Sequence, residues 1–284
     1  MRIALYPNRD RDPGFGVTRR LISCITKSGA TAVIEDEFAP DLIDDNLVRA
    51  SYGTCDLMIC LGGDGTFLTA AHLESAKDLP KTGINLGSVG FLQEIDPDRM
   101  ESAVKLLIEG DYRIENRSLL AASCYDTGGH RTLDDEALND VVLARGNRAK
   151  SITVALEIDG ERVENIPGDG VIVSTATGST AYSLSAGGPV IHPVSDVILI
   201  TPICPHTLQN RSYVTCSDSD ITLRLISNQE DAYLTIDGRG GYQMSTGQRV
   251  TVNSSNRKVK YIRLWEEAFF KSVSTKIQQR GLFR

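Results

Sequence analysis

A buried strand that runs into a glycine-rich loop is the feature that most constrains the fold of this chain. Residues 57–61 form a short, continuous apolar run, which is typical of a strand covered on both faces. Three glycines follow within residues 62–65, and they bracket a single carboxylate, Asp64. Successive N–H groups in such a turn bind anions such as phosphate, and Thr66 can cap a following helix. The loop is either a phosphate site in which Asp64 handles a metal or a hydroxyl proton, or a tight turn in which Asp64 is a spare cap.

Strands and helices alternate through the first third of the chain. The predicted strands are residues 3–6, 31–34, 57–61 and 82–86, and the predicted helices are residues 17–25, 42–50, 67–76 and 96–109. Such alternation favours a parallel sheet with helices on both faces, and ligands bind such sheets beyond the carboxyl ends of the strands. The glycine loop and the segment 85–90 both fall at that place.

The pattern changes after about Tyr112 to short strands separated by turns, among them Asp159-Gly160 and Asp237-Gly238. This pattern predicts an all-β, mainly antiparallel, sandwich-like domain. Residues 265–280 have apolar positions at helical spacing. We therefore predict an α/β N-terminal domain with a parallel Rossmann-like sheet (residues 1–112), an all-β C-terminal domain (residues 113–264), and a C-terminal helix within residues 265–284 that packs back on the first domain.

Composition excludes some classes of function. The formal net charge is -7, which disfavours binding to nucleic acid or to an anionic membrane. No run is apolar enough for a signal peptide or a membrane span, and the six cysteines form no Cys-x-x-Cys pair. They are typical of reduced thiols, and we expect a cytoplasmic protein that associates with neither nucleic acid nor membrane.

Two polar groups of residues stand out in the β-rich half. Asn139-Asp140 precedes an apolar strand. Its amide and carboxylate can form hydrogen bonds with sugar hydroxyls, or the pair can be an ordinary turn. Asp169 precedes another strand, and residues 174–189 then combine hydroxyl and small side chains with little charge. That stretch is either a plain loop or a site for an uncharged polar ligand such as a nucleoside, on whose base Tyr182 could stack. The chain has no P-loop and no zinc motif, and only His206 among the histidines is a site candidate.

Together these motifs resemble the NAD kinase family. The matching residues are Gly62-Gly63-Asp64-Gly65-Thr66, Asn85-Leu86-Gly87 with Gly90-Phe91-Leu92, Asn139-Asp140, Asp169-Gly170 through Gly188-Pro189, and Pro205-His206-Thr207-Leu208. The resemblance implies phosphorylation of NAD by ATP at the 2′-hydroxyl of the adenosine ribose, which gives NADP. It also implies a divalent cation, Mg²⁺ with the ATP, and a homodimer or homotetramer.

The resemblance assigns roles to individual residues. It implies that Asp64 is the general base on the ribose hydroxyl, with Gly65 beside it, although Asp64 could instead orient the metal. The residues implied to contact NAD in the β-rich half are Asn139, Asp140, Lys150, Asp169, Thr180, Ala181, Tyr182, Ser183, Leu184, Ser185 and Arg239. Two positions depart from the family pattern, because Ala176 stands where proline is common and Arg239 stands where glutamine is frequent.

Two alternatives remain open at this point. A lipid kinase of the diacylglycerol or sphingosine type shares the glycine loop, but its acceptor site should be an apolar groove, whereas residues 175–185 are polar. A non-catalytic dinucleotide-binding sensor would keep the pocket and lose the phosphoryl transfer. The sequence leaves open whether polyphosphate can replace ATP and whether NADH is accepted.

Overall fold

The chain folds into two compact units. The computed structural model describes residues 1–87, 90–146, 150–207, 211–228, 231–266 and 269–282. The first unit consists of Met1–Asn116 and Val259–Arg284, and the second consists of Arg117–Lys258. The predicted domain boundaries, after residues 112 and 264, lie a few residues from these.

The first unit contains a parallel sheet. Its elements in chain order are β1 (Arg2–Pro7), α1 (Gly16–Lys27), β2 (Thr31–Ile34), β3 (Leu47–Arg49), β4 (Leu57–Gly62), α2 (Asp64–Ala71), β5 (Lys81–Asn85) and α3 (Met100–Glu109). The strands lie in the order β5-β4-β1-β2-β3, and each neighbouring pair is parallel. Strand β4 is buried along its whole length, as its unbroken apolar run predicts.

The strand order reverses between β1 and β4. After β1 the chain adds β2 and β3 on one side, and it then returns to add β4 and β5 on the other side. Adjacent loops diverge at such a reversal, and they leave a crevice at the carboxyl ends of the two central strands. The residues after β1 and after β4 therefore border the crevice of this unit.

The helix predicted for residues 42–50 is wrong. The Asp44 side chain accepts a hydrogen bond of 3.0 Å from the amide of Asn46, and the Asp44 carbonyl accepts one from the amide of Leu47. These local bonds form a turn that competes with helical hydrogen bonding. The chain then adds β3 to the edge of the sheet, where Val48 lies opposite Val33 of β2.

The second unit contains two antiparallel sheets. Its elements are β6 (Arg113–Tyr125), β7 (Arg131–Ala137), β8 (Asp140–Arg145), β9 (Ile152–Ile158), β10 (Glu161–Gly168), β11 (Gly170–Thr175), α4 (Tyr182–Ser185), β12 (Val197–Ile203), β13 (Tyr213–Cys216), β14 (Ile221–Asn228), β15 (Ala232–Ile236), β16 (Arg239–Met244) and β17 (Arg249–Arg263). The beginning of β6, before Arg117, and the end of β17, after Lys258, belong to the first unit. One sheet has the order β13-β12-β11-β8-β15-β16, and the other contains β10-β9-β14-β17. Buried side chains from both, such as Val173 and Leu223, share one apolar core, so the unit is a sandwich.

The C-terminal helix α5 (Phe269–Leu282) belongs to the first unit. Its Val273 is buried, and the Nζ atom of Lys276 lies 5.6 Å from the centre of the Phe91 ring. The predicted fold class, including a C-terminal helix that packs on the α/β unit, is therefore observed. None of the helices in the described part of the chain has the length and apolar character needed to cross a membrane.

Candidate active site

The glycine loop turns from β4 into α2 with Gly63 as the N-cap residue. The amides of Thr66 and Phe67 donate to the Gly63 carbonyl oxygen, so the helix begins at Asp64. The expectation that Thr66 caps this helix is therefore wrong, because Gly63, three residues earlier, is the N-cap residue. The Thr66 hydroxyl instead accepts a hydrogen bond of 3.0 Å from Asn8 Nδ2, which ties α2 to the residue after β1.

The segment after β5 holds the Asp64 carboxylate in place. The amides of Phe91 and Leu92 donate one hydrogen bond to each of its oxygens, and both distances are 2.9 Å. Gly90 fits only as glycine, because a Cβ atom there would collide with the Asp64 carboxylate. An ionised carboxylate offers about four acceptor positions. Asp64 can therefore still accept a proton from a substrate hydroxyl or bind a cation.

A cavity of about 560 Å³ opens in front of Asp64. It is bordered by the residues that follow β1 and β4, which is where the reversal of strand order predicts a ligand site. The lining residues are Tyr6, Pro7, Asn8, Arg9, Asp10, Arg11, Gly63, Asp64, Gly65, Thr66, Thr69, Gly87 and Gly90. The first turn of α2 and two arginines thus border this cavity, and helix N-termini and guanidinium groups are both suited to binding phosphate.

The sequence interpretation missed the two arginines of this cavity. Arg9 forms an ion pair with Asp41, and the Arg11 guanidinium lies beside Gly87, with Nη1 3.8 Å from the position of a Cβ atom on that glycine. The available signal was the run Asn8-Arg9-Asp10-Arg11 immediately after the first strand of a parallel sheet. Because β1 and β4 are parallel neighbours in this sheet, the residues that follow the two strands lie at the same edge of it.

In the second unit, Asn139 and Asp140 lie at the start of β8 and are buried. Both backbone amides donate to the carboxylate of Asp237, at 2.7 Å from Asn139 and 3.1 Å from Asp140. Burial, and then the nearby charge of Asp237, raise the pKa of Asp140 to about 7. Asp140 therefore changes charge in the neutral range: above its pKa both carboxylate oxygens only accept hydrogen bonds, and below it one oxygen also carries a donor proton.

The hydroxyl-rich stretch packs against this pair of residues. The Thr175 hydroxyl donates to the Leu138 carbonyl at 2.6 Å and accepts from the Gly178 amide at 3.0 Å. Gly178 lies so close to the Asn139 carbonyl that a Cβ atom would collide with it. The chain reversal after β11 is therefore built around the backbone of the Asn139-Asp140 segment.

The predicted contact residues 180–185 differ in exposure. Thr180 and Ser183 are buried, and their hydroxyls bond within the protein, to the Thr177 carbonyl and to the Thr201 hydroxyl respectively. Tyr182 and Ser185 are exposed, and Ala181 and Leu184 are partly exposed. The exposed backbone and the Tyr182 ring are thus open to a ligand, whereas the two buried hydroxyls hold the loop together.

Asp169 and Tyr182 belong to one charged group of residues. Asp169 Oδ1 accepts a hydrogen bond of 2.6 Å from Arg145 Nε, a partner that the sequence interpretation missed. The pKa of Tyr182 is raised by burial first, and then by the charges of Cys204, Asp169 and Asp140. Tyr182 therefore remains a neutral hydrogen-bonding group beside Asp169 and Asp140.

Three further predicted positions lie in the second unit. Arg239 Nη2 donates to the Glu136 carbonyl at 2.8 Å and to Asp135 Oδ1 at 3.2 Å. Lys150 is exposed. The exposed His206 is fixed by its backbone amide, which donates to the Pro167 carbonyl at 2.7 Å. Leu208, the last residue of the Pro205-His206-Thr207-Leu208 block, lies outside the described residues.

Comparison with known proteins identifies the family. The family models of the ATP-NAD kinase N-terminal domain and C-terminal domain match residues 23–112 and 138–264. The chain is 39% identical over 289 aligned positions to the NAD kinase of Acetivibrio thermocellus, an alignment that covers 99% of this chain and 98% of that protein. The chain belongs to the NAD kinase family. Another member, from Ruminiclostridium cellulolyticum, is 38% identical, with 98% of each chain aligned.

Solved structures agree with the fold of this NAD kinase family member. An NAD kinase from Archaeoglobus fulgidus in complex with ATP superposes with a TM-score of 0.75, at 26% identity, and the match covers 98% of this chain and 99% of that one. Yeast NADH kinase complexed with NADH gives a TM-score of 0.87 at 24% identity, with 98% of this chain and 87% of that one covered. The resemblance and the fold class inferred from the sequence are confirmed.

Proposed function

We propose that this chain transfers the γ-phosphoryl group of ATP to the 2′-hydroxyl of the adenosine ribose of NAD, which gives NADP and ADP. The observation that carries the proposal is the Asp64 carboxylate, held by the Phe91 and Leu92 amides at the edge of the cavity. Membership of the NAD kinase family supports this acceptor over a lipid. The polar surroundings of Asn139 and Tyr182 also suit a nucleotide better than an acyl chain.

The chemistry requires one proton transfer and one displacement. Asp64 accepts the proton of the ribose 2′-hydroxyl, and the oxygen forms a bond to the γ-phosphorus of ATP as the bond to the ADP oxygen breaks. The amides at the first turn of α2, together with Arg9 and Arg11, are placed to bind the phosphates and offset their charge. A positioned general base typically contributes ~10²–10⁴-fold to such a rate.

The residues of the cavity fit a divalent cation that arrives with ATP. Mg²⁺ is usually held by one or two carboxylates together with substrate phosphates. Asp10 and Asp64 are the carboxylates in the lining, and both would be available as oxygen ligands. No cluster of three or more His, Cys, Asp or Glu side chains suited to a metal occurs within the described ranges. The bound ion would neutralise charge on the phosphates of ATP and so assist the transfer of its γ-phosphoryl group.

The second unit would bind NAD. Above its pKa, Asp140 can accept hydrogen bonds from sugar hydroxyls, and the Asn139 amide can both donate and accept. The further residues of this unit proposed to contact NAD are Lys150, Asp169, Thr180, Ala181, Tyr182, Ser183, Leu184, Ser185 and Arg239. In the first unit, Gly65 beside Asp64 is also proposed to contact NAD. We propose further that the protein is cytoplasmic and acts as a homodimer or homotetramer.

The test is an assay of the purified chain with ATP, Mg²⁺ and NAD, in which NADP is quantified. We expect NADP to form, and the products made from NADH and from polyphosphate measure the acceptor and donor preferences. Phosphorylation of a diacylglycerol or sphingosine without NADP formation would replace this function with that of a lipid kinase. Tight NAD binding with no product would indicate a non-catalytic sensor.

A further inference from the structure

Asp237 makes an unusual set of contacts with the Asn139-Asp140 segment. Its carboxylate accepts three backbone N–H groups that lie about a hundred residues earlier in the chain: Leu138 at 2.7 Å, Asn139 at 2.7 Å and Asp140 at 3.1 Å. The amide of Asp237 in turn donates to the Asp140 carbonyl at 2.9 Å. Four hydrogen bonds therefore join one residue of a hairpin turn to three consecutive residues at the start of β8.

The backbone of the turn is shaped to present this carboxylate. Asp237 has a φ of +50° and Gly238 a φ of +70° in the two-residue connection between β15 and β16. Positive φ at both positions is the geometry of a type I′ hairpin, which aspartate followed by glycine adopts readily. Aspartate at position 237 thus adopts the backbone conformation of the turn and also supplies the carboxylate that accepts the three amides.

The same segment is held from its other side by the hydroxyl-rich stretch. The Thr175 amide donates to the Asn139 carbonyl at 2.9 Å, and the Thr175 hydroxyl donates to the Leu138 carbonyl at 2.6 Å. The amides of the segment thus bond to Asp237, and its carbonyls bond to Thr175 and Asp237. Movement of Asn139 or Asp140 requires breaking bonds to the buried Thr175 and the partly buried Asp237, which is costly.

We propose that Asp237 is a positioning residue for NAD: its carboxylate holds the backbone of Asn139 and Asp140 so that their side chains are fixed before the dinucleotide binds. The proposal rests on the proposed function, because it assumes that these two side chains contact NAD. Asp237 acts through the amides it accepts, and it need not touch the ligand.

The charge of Asp237 also acts on Asp140. After burial, it is the second cause that raises the pKa of Asp140 to about 7. The titratable groups that interact electrostatically with Asp140 are Asp237 on the β15–β16 turn and Tyr182 on α4. Removal of the Asp237 charge should lower the pKa of Asp140, so NAD binding that requires ionised Asp140 should persist to lower pH.

The chain offers a matched control in the same unit. Asp159 also has a positive φ, +53°, and is followed by Gly160 in a hairpin turn between β9 and β10. Its carboxylate likewise accepts a long-range backbone amide, that of Asp220, at 2.8 Å. Asp159→Asn therefore makes the same chemical change in the same kind of turn, away from Asn139 and Asp140.

The experiment measures the dissociation constant for NAD by calorimetry without ATP, as a function of pH, and then KM and kcat for both substrates. We expect Asp237→Asn to weaken NAD binding about tenfold, because an amide leaves one of the three N–H groups without an acceptor. KM for ATP should stay within about twofold, which separates positioning of NAD from general damage. The pH at which NAD affinity is half-maximal should fall below about 7, while Asp159→Asn leaves affinity and pH dependence unchanged.

An unchanged NAD affinity in Asp237→Asn, or an equal loss in Asp159→Asn, would overturn the proposal. If Asp237→Asn fails to fold, Asp237→Glu is the second variant: it keeps the charge but displaces the oxygens, so we expect weaker binding with an unshifted pH midpoint, and unaltered affinity would overturn the proposal. NAD binding by the unsubstituted chain without NADP formation would reject the proposed function alone. Failure of the unsubstituted chain to bind NAD would reject both.

Discussion

The replacement of Asp64 by asparagine is the sharpest test of the catalytic assignment. The substitution keeps the shape of the side chain but removes its charge and turns one acceptor oxygen into a donor. One of the amides of Phe91 and Leu92 can still donate to the remaining oxygen, and the other then faces an NH₂ group. An unsatisfied donor costs ~1–3 kcal/mol. Because Asp64 is only partly buried, we expect a loss of unfolding free energy near the lower end of that range.

The kinetic effect should be larger than the effect on stability. Loss of a positioned general base lowers turnover ~10²–10⁴-fold, which corresponds to an increase of ~3–6 kcal/mol in the activation free energy at ~1.4 kcal/mol per tenfold change. The proposed NAD contacts of the second unit are unaltered, so KM for NAD should change by less than about threefold. A large fall in kcat with a nearly constant KM is thus the expected signature.

The assay follows NADP formation at saturating ATP, NAD and Mg²⁺, with thermal unfolding measured on the same samples. Asp12→Asn is the matched control, because the buried Asp12 carboxylate accepts the amides of Val17 and Thr18 at 3.0 and 2.8 Å, outside the cavity lining. It should lose stability and keep its kcat. A kcat for Asp64→Asn close to that of the unsubstituted chain, with folding intact, would refute the reasoning. A pH–rate profile and an Mg²⁺ titration of the variant separate a base from a metal-orienting group.

Three further predictions concern substitutions in the first unit. Gly90→Ala should lower kcat at least about tenfold, because its methyl group collides with the Asp64 carboxylate; NADP assays showing normal turnover would contradict this. Arg11→Gln should raise KM for ATP about tenfold and leave KM for NAD nearly constant, since the guanidinium lines the cavity proposed for the phosphates; the reverse pattern in substrate titrations would contradict it. Arg263→Met should lower the free energy of unfolding by ~3–5 kcal/mol, because the Glu94 side chain is only 7% exposed and loses its ion pair with Arg263 Nη1 at 2.8 Å. Denaturant unfolding measures the change, and a value near zero would reject the pairing argument.

The sequence predicted the elements whose signals are local. The apolar run of β4 gave a strand buried on both faces, and Gly110, with a φ of +75°, ends α3 where the sequence placed its stop. The prediction failed at residues 42–50, because a helix-like spacing of apolar residues did not reveal the turn that Asp44 makes with the amide of Asn46. The position of Thr66 was misread for a related reason, since a cap is defined by backbone geometry that the residue type alone does not specify.

The sequence also placed the chain in its family, because the ordered glycine and hydroxyl motifs are contiguous and can be read without contacts. The roles of the individual site residues remain predictions, and the structure adds the contacts that support them. The sequence does not reveal the hydrogen bond from the Phe91 amide to Asp64 or the one from Arg145 to Asp169, because each joins residues more than twenty positions apart. Such partners are set by strand order and register, which propensities and spacing do not contain.

By itself, then, the sequence determined the strand-and-glycine loop, the two classes of domain and the family. Only the tertiary structure decided that the reversal of strand order brings Arg11 to the glycine loop and that a hairpin turn brings Asp237 to the amides of Asn139 and Asp140. The physical reason is that backbone preferences depend on a few neighbouring residues. Hydrogen bonds and charge interactions instead join residues that are distant in the sequence and that the packed sheets place close together.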